Sequence, residues 1–213
     1  MGTGEHDHDH DHPGMEEDIE LSDRAKRVLA IEELLIEKGM IGRDDVRRLV
    51  DVTESRSPAD GARVVARAWA DPDYKHRLLD SPAGALAELG YPLIGDARLV
   101  VLENTDRVHH LVVCTLCSCY PASLLGLPPD WYKSFAYRSR AVVDPRGVMR
   151  EFDLDVGDDV AVRVMDSTAD LRYLVLPRRP DGTEHMSEEQ LAELVTRDSM
   201  IGVAAAKEPE PAV

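Results

Sequence analysis

Three cysteines, the only ones in 213 residues, fall inside a single run: Val113-Cys114-Thr115-Leu116-Cys117-Ser118-Cys119-Tyr120. Three is an odd number and the spacing is too short to staple distant segments, so a disulfide framework is excluded. Thiolates this close form a claw for one metal ion. A chain that presents such a claw needs a rigid base beneath it. His109–Val113 supply one, reading as a buried strand that runs straight into Cys114. A loop at the end of a buried strand is fixed by the sheet below, and such loops are where folds of this kind place chemistry.

Three donor sets compete for Cys114, Cys117 and Cys119. Structural zinc wants four tetrahedral N or S ligands, and the fourth would have to be His109 or His110. Those side chains point to opposite faces of the strand. An iron–sulfur cluster usually takes four cysteines, one of them remote, and the chain has no remote cysteine. The third option is a mononuclear ion that takes backbone nitrogens as well as thiolates. Cys117 and Cys119 bracket the amides of Ser118 and Cys119. If both amides lose their protons, one ion meets three sulfurs and two nitrogens, with a sixth position open. Such anionic donors favour a trivalent ion. Spacing alone leaves zinc and this third set both standing.

The rest of the chain reads as α+β, with helices first and strands after. Residues 1–20 are acidic and low in complexity, with His6, His8, His10 and His12 alternating with Asp7, Asp9 and Asp11; such a stretch reads as a disordered tail. Residues 21–90 read as a helical arm. Ser22 caps a first helix that carries Leu29, Leu34 and Leu35. A second helix is expected over 44–54, a third from Ser57-Pro58, and two short ones over 74–79 and 82–89. Residues 91–203 read as the metal-binding body. Its expected elements are strands at Arg98–Glu103 and His109–Val113, helices over 131–143 and 146–152, and a strand pair at 160–165 and 171–176. Ser187-Glu188-Glu189-Gln190 is a capping box for a last helix. The tail over 204–213 is rich in Ala, Glu and Pro and reads as mobile. The formal charge of −16 argues against nucleic acid and anionic membrane surfaces as partners. No apolar run reaches the ~20 residues of a membrane helix, and the few clustered cysteines fit a reducing cytoplasm.

The claw and its flanks resemble the α subunit of nitrile hydratase. The likeness runs through Leu125-Gly126-Leu127-Pro128-Pro129-Asp130-Trp131-Tyr132, Tyr137-Arg138-Ser139-Arg140, Arg172-Tyr173, Arg179-Pro180 and Thr196-Arg197-Asp198-Ser199-Met200. It covers nearly the whole chain after about residue 22. The homologous γ subunit of thiocyanate hydrolase belongs to the same family. The resemblance implies a helical N-terminal arm that wraps a partner, and a layered α/β/β/α body. It implies Cys114 as an axial thiolate, Cys117 oxidised to sulfinate, Cys119 oxidised to sulfenate, and deprotonated backbone nitrogens from Ser118 and Cys119. Thr115 stands where the cobalt-type enzymes carry Thr and the iron-type enzymes Ser. The implied cofactor is therefore one non-corrin, low-spin Co(III) per chain. The implied partner is a β subunit, as one chain or two, whose arginines hold the oxidised cysteines. A cobalt-delivering activator chaperone is implied as well. Cys119 would be the catalytic residue, its sulfenate oxygen attacking a coordinated nitrile to give the amide.

Two positions depart from the family. Relatives continue Tyr-Pro-Trp-Pro after the claw, where this chain has Tyr120-Pro121-Ala122-Ser123. Loss of an indole there should open the pocket to bulky nitriles, such as heteroaromatic or nucleoside nitriles. Many relatives also carry Gln where this chain has Gly95. The thiocyanate enzyme carries a basic residue just after the claw's Pro, and Ala122 is not one, which favours nitrile over thiocyanate. A non-catalytic metal-storage or sensor protein is the alternative from another class; oxygen added to the claw cysteines, seen by intact mass, separates the two. Trp131, Tyr132 and Tyr137 are expected in the core or an interface. Arg138, Arg140 and Arg172 are expected in surface salt bridges or reaching a partner.

Overall fold

The computed structural model describes residues 21–209. The His/Asp segment and the last four residues of the C-terminal tail lie outside them. The chain divides into two units, one ending at Arg47 and the other beginning at Arg48. In the first, α1 (Asp23–Glu37) starts as its cap predicts, with the Ser22 hydroxyl accepting from the Ala25 amide at 3.3 Å. It buries no side chain, and Val28, Leu29, Ile31 and Leu34 are exposed. Helix α2 (Asp45–Glu54) runs across the division and also buries none.

The second unit begins with three helices separated by cap-and-proline junctions. Ser57, Asp71 and Ser81 occupy the cap positions, and Pro58, Pro72 and Pro82 open α3 (Pro58–Ala70), α4 (Pro72–Asp80) and α5 (Pro82–Glu88). Proline suits a first helical turn, where its missing N–H is not needed. The Asp71 carboxylate accepts from the Asp73 and Tyr74 amides, both at 3.0 Å. These polar breaks do not mark a loose arm. Val64, Val65, Tyr74, Leu78 and Leu86 are at or near zero exposure and belong to the same core as the strands. The compact unit thus takes in chain well before residue 91.

Strand β1 (Arg98–Glu103) pairs in parallel with β4 (Leu171–Leu176), and β2 (Val108–Val113) pairs in parallel with β3 (Ala161–Asp166). The expected pairing of the third and fourth strands with each other is therefore wrong; they lie in different sheets. Ser167–Asp170, between them, lacks the Asn-Gly type of residues that a tight hairpin demands. The crossing has a packing reason. Strands β2 and β4 both carry continuous apolar ends, Leu111–Val113 and Leu174–Leu176, which stay buried only when covered on both faces. Stacking the sheets supplies that cover.

Helices α4 and α5 lie outside the β1–β4 sheet, with α3 packed on α4. Helices α8 (Phe135–Val143) and α9 (Pro145–Arg150) lie outside the β2–β3 sheet. The order is the α/β/β/α layering that the resemblance implied. The helix expected over 131–143 is broken at Ser134. That residue ends α7 (Asp130–Lys133) and caps α8, accepting from the Tyr137 amide at 3.1 Å. Two short helices had no counterpart in the sequence reading: α6 (Ala122–Leu125), and α11 (Arg197–Ile201), which follows α10 (Glu188–Leu194). The start of the C-terminal tail is anchored, because Ala206 is buried and the Lys207 amide donates to the Leu194 carbonyl at 2.8 Å. No helix among the described residues is long and apolar enough to cross a membrane.

The end of α11 is stitched to the claw strand. Gly202 sits at φ +87°, and a Cβ there would collide with the His110 carbonyl oxygen. The His109 Nε2 lies 2.8 Å from the Gly202 carbonyl, and its Nδ1 lies 3.2 Å from the Asn104 amide nitrogen. Asn104 Oδ1 in turn accepts from the His110 amide at 2.8 Å and meets His110 Nδ1 at 3.1 Å. One neutral tautomer of each ring satisfies every contact, with Nε2–H donating on His109 and Nδ1–H on His110.

Gly202→Ala should cost about 2 kcal/mol or more, since a left-handed conformation alone costs a side chain about 1–2 kcal/mol and the carbonyl is in the way; denaturant unfolding measures it. Burial holds both imidazoles below the ordinary histidine value, and the nearby Arg146 and Arg163 push the same way. The unfolded chain therefore binds more protons on acidification. Their contribution to stability is intact above about pH 6.5 and is lost as pH falls through that value. The Tm should drop between about pH 7.5 and about pH 5.5, and drop less when both histidines are replaced by Gln.

Candidate metal centre

Strand β2 buries Leu111, Val112, Val113 and then Cys114 completely. Its last rungs are pinned from two sides. The Tyr137 hydroxyl donates to the Val112 carbonyl at 2.6 Å, and the Ser167 amide donates to the Val113 carbonyl at 2.7 Å. Beyond that point the chain surfaces by degrees. Cys114 is buried, Thr115 half-buried, and Leu116, Cys117 and Ser118 exposed; Cys119 is half-buried and Tyr120 buried again. The claw is thus a short arch with both feet in the core and its tip in the open.

The parallel register sets Val113 opposite Asp166. The Asp166 carboxylate accepts from the Thr115 amide at 2.9 Å and from the Thr115 hydroxyl at 2.6 Å. Arg138 of α8 donates to the Thr115 carbonyl at 3.2 Å, and the Tyr132 hydroxyl donates to the Cys119 carbonyl at 2.8 Å. Both feet of the arch are held by side chains from other elements. Beneath them Tyr120, Tyr132, Trp131 and Tyr137 meet edge to face or tilted, with ring centroids 4.8–5.9 Å apart. Trp131, Tyr132 and Tyr137 are core residues, as expected, yet two of them also spend a hydroxyl on the claw's backbone.

The sulfurs converge. Cys114 Sγ lies 3.4 Å from Cys117 Sγ, and Cys117 Sγ lies 3.1 Å from Cys119 Sγ. All three fall within 4.8 Å of one another, the one such group among the described residues. The separations discriminate between donor sets. With a metal–sulfur bond of ~2.3 Å, two sulfurs at neighbouring octahedral corners stand ~3.3 Å apart, and at tetrahedral corners ~3.8 Å. The separations of 3.4 and 3.1 Å lie nearer the first value than the second. A closed zinc site also lacks its fourth ligand, because His109 and His110 are engaged with Asn104 and Gly202. The Cys117 amide itself donates to the Cys114 sulfur at 3.3 Å. The three converging thiols could hold one metal ion.

The thiols differ without an ion. Hydrogen bonds from Cys119 and Cys114 bring Cys117 down to about 7, whereas burial, with the Cys117 contact second, pushes Cys119 up to about 12. The Arg172 guanidinium opposes that rise electrostatically. Of the three arginines singled out in the sequence, Arg138 holds the arch. Arg140 makes a surface salt bridge with Glu151 at 2.6 Å. Arg172 donates to the Thr168 and Leu171 carbonyls. Asp166 and Ser167 were not found by sequence reasoning. Nothing near them in the chain marks them; only the strand register brings them to the claw.

The sequence profile described as nitrile hydratase, alpha chain, matches residues 22–204. The chain is 53% identical over 189 residues to the low-molecular weight cobalt-containing nitrile hydratase subunit alpha of Rhodococcus rhodochrous, covering 88% of this chain and 91% of that one. It is 42% identical over 199 residues to thiocyanate hydrolase subunit gamma of Thiobacillus thioparus, covering 88% and 82%. Among solved structures it is similar to recombinant thiocyanate hydrolase comprising partially-modified cobalt centers, with a TM-score of 0.80 and 40% identity over 91% of this chain and 97% of that one.

Asp166→Ala should cost about 1 kcal/mol, below the range for buried bonds to a charged group because the carboxylate is exposed. The larger effect should be on metal retention, measured by elemental analysis after dialysis, because the Thr115 foot of the arch is set free.

Proposed function

The chain belongs to the nitrile hydratase α-chain family, and from that premise we propose that it is the metal-bearing subunit of a nitrile hydratase. Its reaction adds water to a nitrile to give the amide. The observation that carries this reading is the convergence of three sulfurs on a loop clamped at both feet. Cobalt is supported by Thr115 and by the cobalt-containing relatives. One Co(III) per chain, with Cys117 as sulfinate and Cys119 as sulfenate, is the state proposed for the working enzyme. When bound, the ion supplies a Lewis acid with one open position that polarises a nitrile.

The protein groups have separate tasks. Cys114 anchors the site from the fully buried foot, where no water competes. Asp166, Arg138 and Tyr132 would hold the arch with its tip exposed. The oxygen carried by Cys119 is the proposed nucleophile toward the nitrile carbon; water then attacks the Cys119 sulfur, the original S–O bond breaks as the amide leaves with that oxygen, and the sulfenate is restored, so one water is consumed per amide formed. Oxidised sulfurs present anionic oxygens, and arginines bind those with charge-assisted hydrogen bonds. Arg138 and Arg140 are spent elsewhere, so the partner β subunit is proposed to supply them, whether as one chain or two. Exposed Leu116, at the tip of the claw, supports a partner there. Cobalt delivery by an activator chaperone and a cytoplasmic setting complete the proposal, the latter in keeping with reduced, clustered thiols.

Nitrile is favoured over thiocyanate by the higher identity to the nitrile enzyme and by Ala122, which is not basic. The test is to co-express the chain with its β partner in cobalt-supplemented medium, then measure metal content and amide release. About one cobalt per chain and amide from a nitrile support the reading; iron or zinc dominating despite ample cobalt, or turnover of thiocyanate alone, overturns it. Replacing Cys114, Cys117 or Cys119 by Ser should abolish both metal retention and turnover.

Ala122 follows the claw where relatives carry Trp, so bulky nitriles, heteroaromatic ones included, are proposed substrates. An indole fills about 150–250 Å² of contact surface. Ala122→Trp should therefore shift kcat/KM toward a small aliphatic nitrile and away from an aromatic one by at least about tenfold, in line with the ~1–3 kcal/mol that a methylene alone carries in an apolar pocket. A smaller shift means that the partner, not Ala122, sets the size limit.

A further inference from the structure

A cavity of about 700 Å³ opens between α3 and α10, and no claw residue lines it. Sites that engulf a small organic ligand run to about 300–1,000 Å³. Much of the lining is apolar. Ala62 and Val195 are buried, and Leu89 and Tyr91 are half-buried beside them. Tyr91 is held from two sides. The Arg56 guanidinium lies over its ring, 5.2 Å from the centroid, and Arg63 donates to its hydroxyl at 3.1 Å. One wall is therefore set before any ligand arrives, which lowers the cost of binding.

The charges around the cavity are of two kinds. Arg67 is matched by Glu188 at 2.7 Å and by Asp71 at 3.1 Å, and Arg63 is matched by Asp60 at 3.2 Å. Arg197, which opens α11, is not matched. Its Nε is buried without a hydrogen-bond partner. Among the described residues no salt bridge closes on its guanidinium, although Glu189 and Glu193 line the same cavity. The buried Tyr120 hydroxyl lies against it and has no hydrogen-bond partner either. Asp198, next in the chain, feels its charge but forms no salt bridge with it. A guanidinium partly stripped of water and left unpaired is costly, and a carboxylate offers it two oxygens in matching geometry. Glu189 and Glu193 are exposed. A second anionic group on a ligand would meet them and be repelled. The lining thus selects one negative charge on an otherwise apolar body.

We propose that this cavity is a binding site for a small monocarboxylate with an apolar body, its carboxylate on Arg197 and its body against Tyr91, Leu89 and Ala62. The site goes beyond the nitrile hydratase reading and does not depend on it.

The experiment is calorimetric titration of the cobalt-loaded complex of the chain with its β partner. The probes are 3-phenylpropionate, its neutral counterpart 3-phenylpropanol, and the dianion phenylsuccinate. Phenylpropionate should bind, and each of the other two should bind at least about tenfold more weakly, one for want of the charge-assisted pair and the other through repulsion. Arg197→Met should weaken phenylpropionate by at least about tenfold and leave phenylpropanol unchanged, a split that a merely damaged cavity would not give. Ala192→Leu, which fills the cavity from α10, should weaken both while KM for propionitrile is unchanged. Failure of phenylpropionate to bind the wild-type complex overturns the proposal. Binding that survives both substitutions, or that propionitrile displaces, also overturns it, by placing the probe elsewhere. Amide release from propionitrile tests the nitrile reading separately.

Discussion

The pairing of β2 with β3 is the constraint on which the metal centre depends. It is parallel, so β3 must arrive from a distant part of the chain, and its register sets Asp166 beside the first residues of the claw. One carboxylate then takes both the amide and the hydroxyl of Thr115. The next residue, Ser167, closes the last rung on Val113. Without that pairing Cys114 would end a strand but would have no fixed direction in which to leave it. With it, the arch rises at a set angle, and its other foot is caught by the Tyr132 hydroxyl.

This clamping answers an energetic problem. Three thiols at 3.1–3.4 Å do not stay together by themselves once any of them ionises, because like charges at that range repel strongly in a partly buried site. The protein brings them together from outside, through backbone hydrogen bonds to Val112, Val113, Thr115 and Cys119, and leaves the charge to be balanced by an ion. The uneven burial of the three sulfurs also sets distinct roles within one short loop. Cys114 lies in the core, while Leu116, Cys117 and Ser118 are open to solvent.

The helical half of the chain was legible because its signals are local. Ser22 and Ser187 act as caps where the sequence placed them, and Ser57-Pro58 opens a helix as proline chemistry requires. Their destination was less legible. The polar breaks between α3, α4 and α5 resembled the texture of an extended arm, yet Val64, Tyr74, Leu78 and Leu86 close over β1 and are fully buried. A cap states where a helix begins and is silent on what its apolar face meets. The β3–β4 misreading has the same origin: adjacency in sequence favours a hairpin, and only the need of β2 and β4 for cover on both faces sends the two strands into separate sheets.

By itself the sequence determined that three sulfurs would meet. Cys114, Cys117 and Cys119 lie so close along the chain that any fold which exposes the run must bring them near one ion, since a few bonds of backbone fix their reach. It also determined the helix starts, because a cap and a first turn are settled within four residues. Tertiary structure decided the rest. It bent the loop between two fixed feet so that the sulfurs converge. It engaged His109 and His110 with Asn104 and Gly202. It also delivered Asp166 and Ser167 to the base of the claw. Those outcomes rest on contacts between residues tens of positions apart, which are settled by strand register and core packing and leave no mark on the local spacing of the chain.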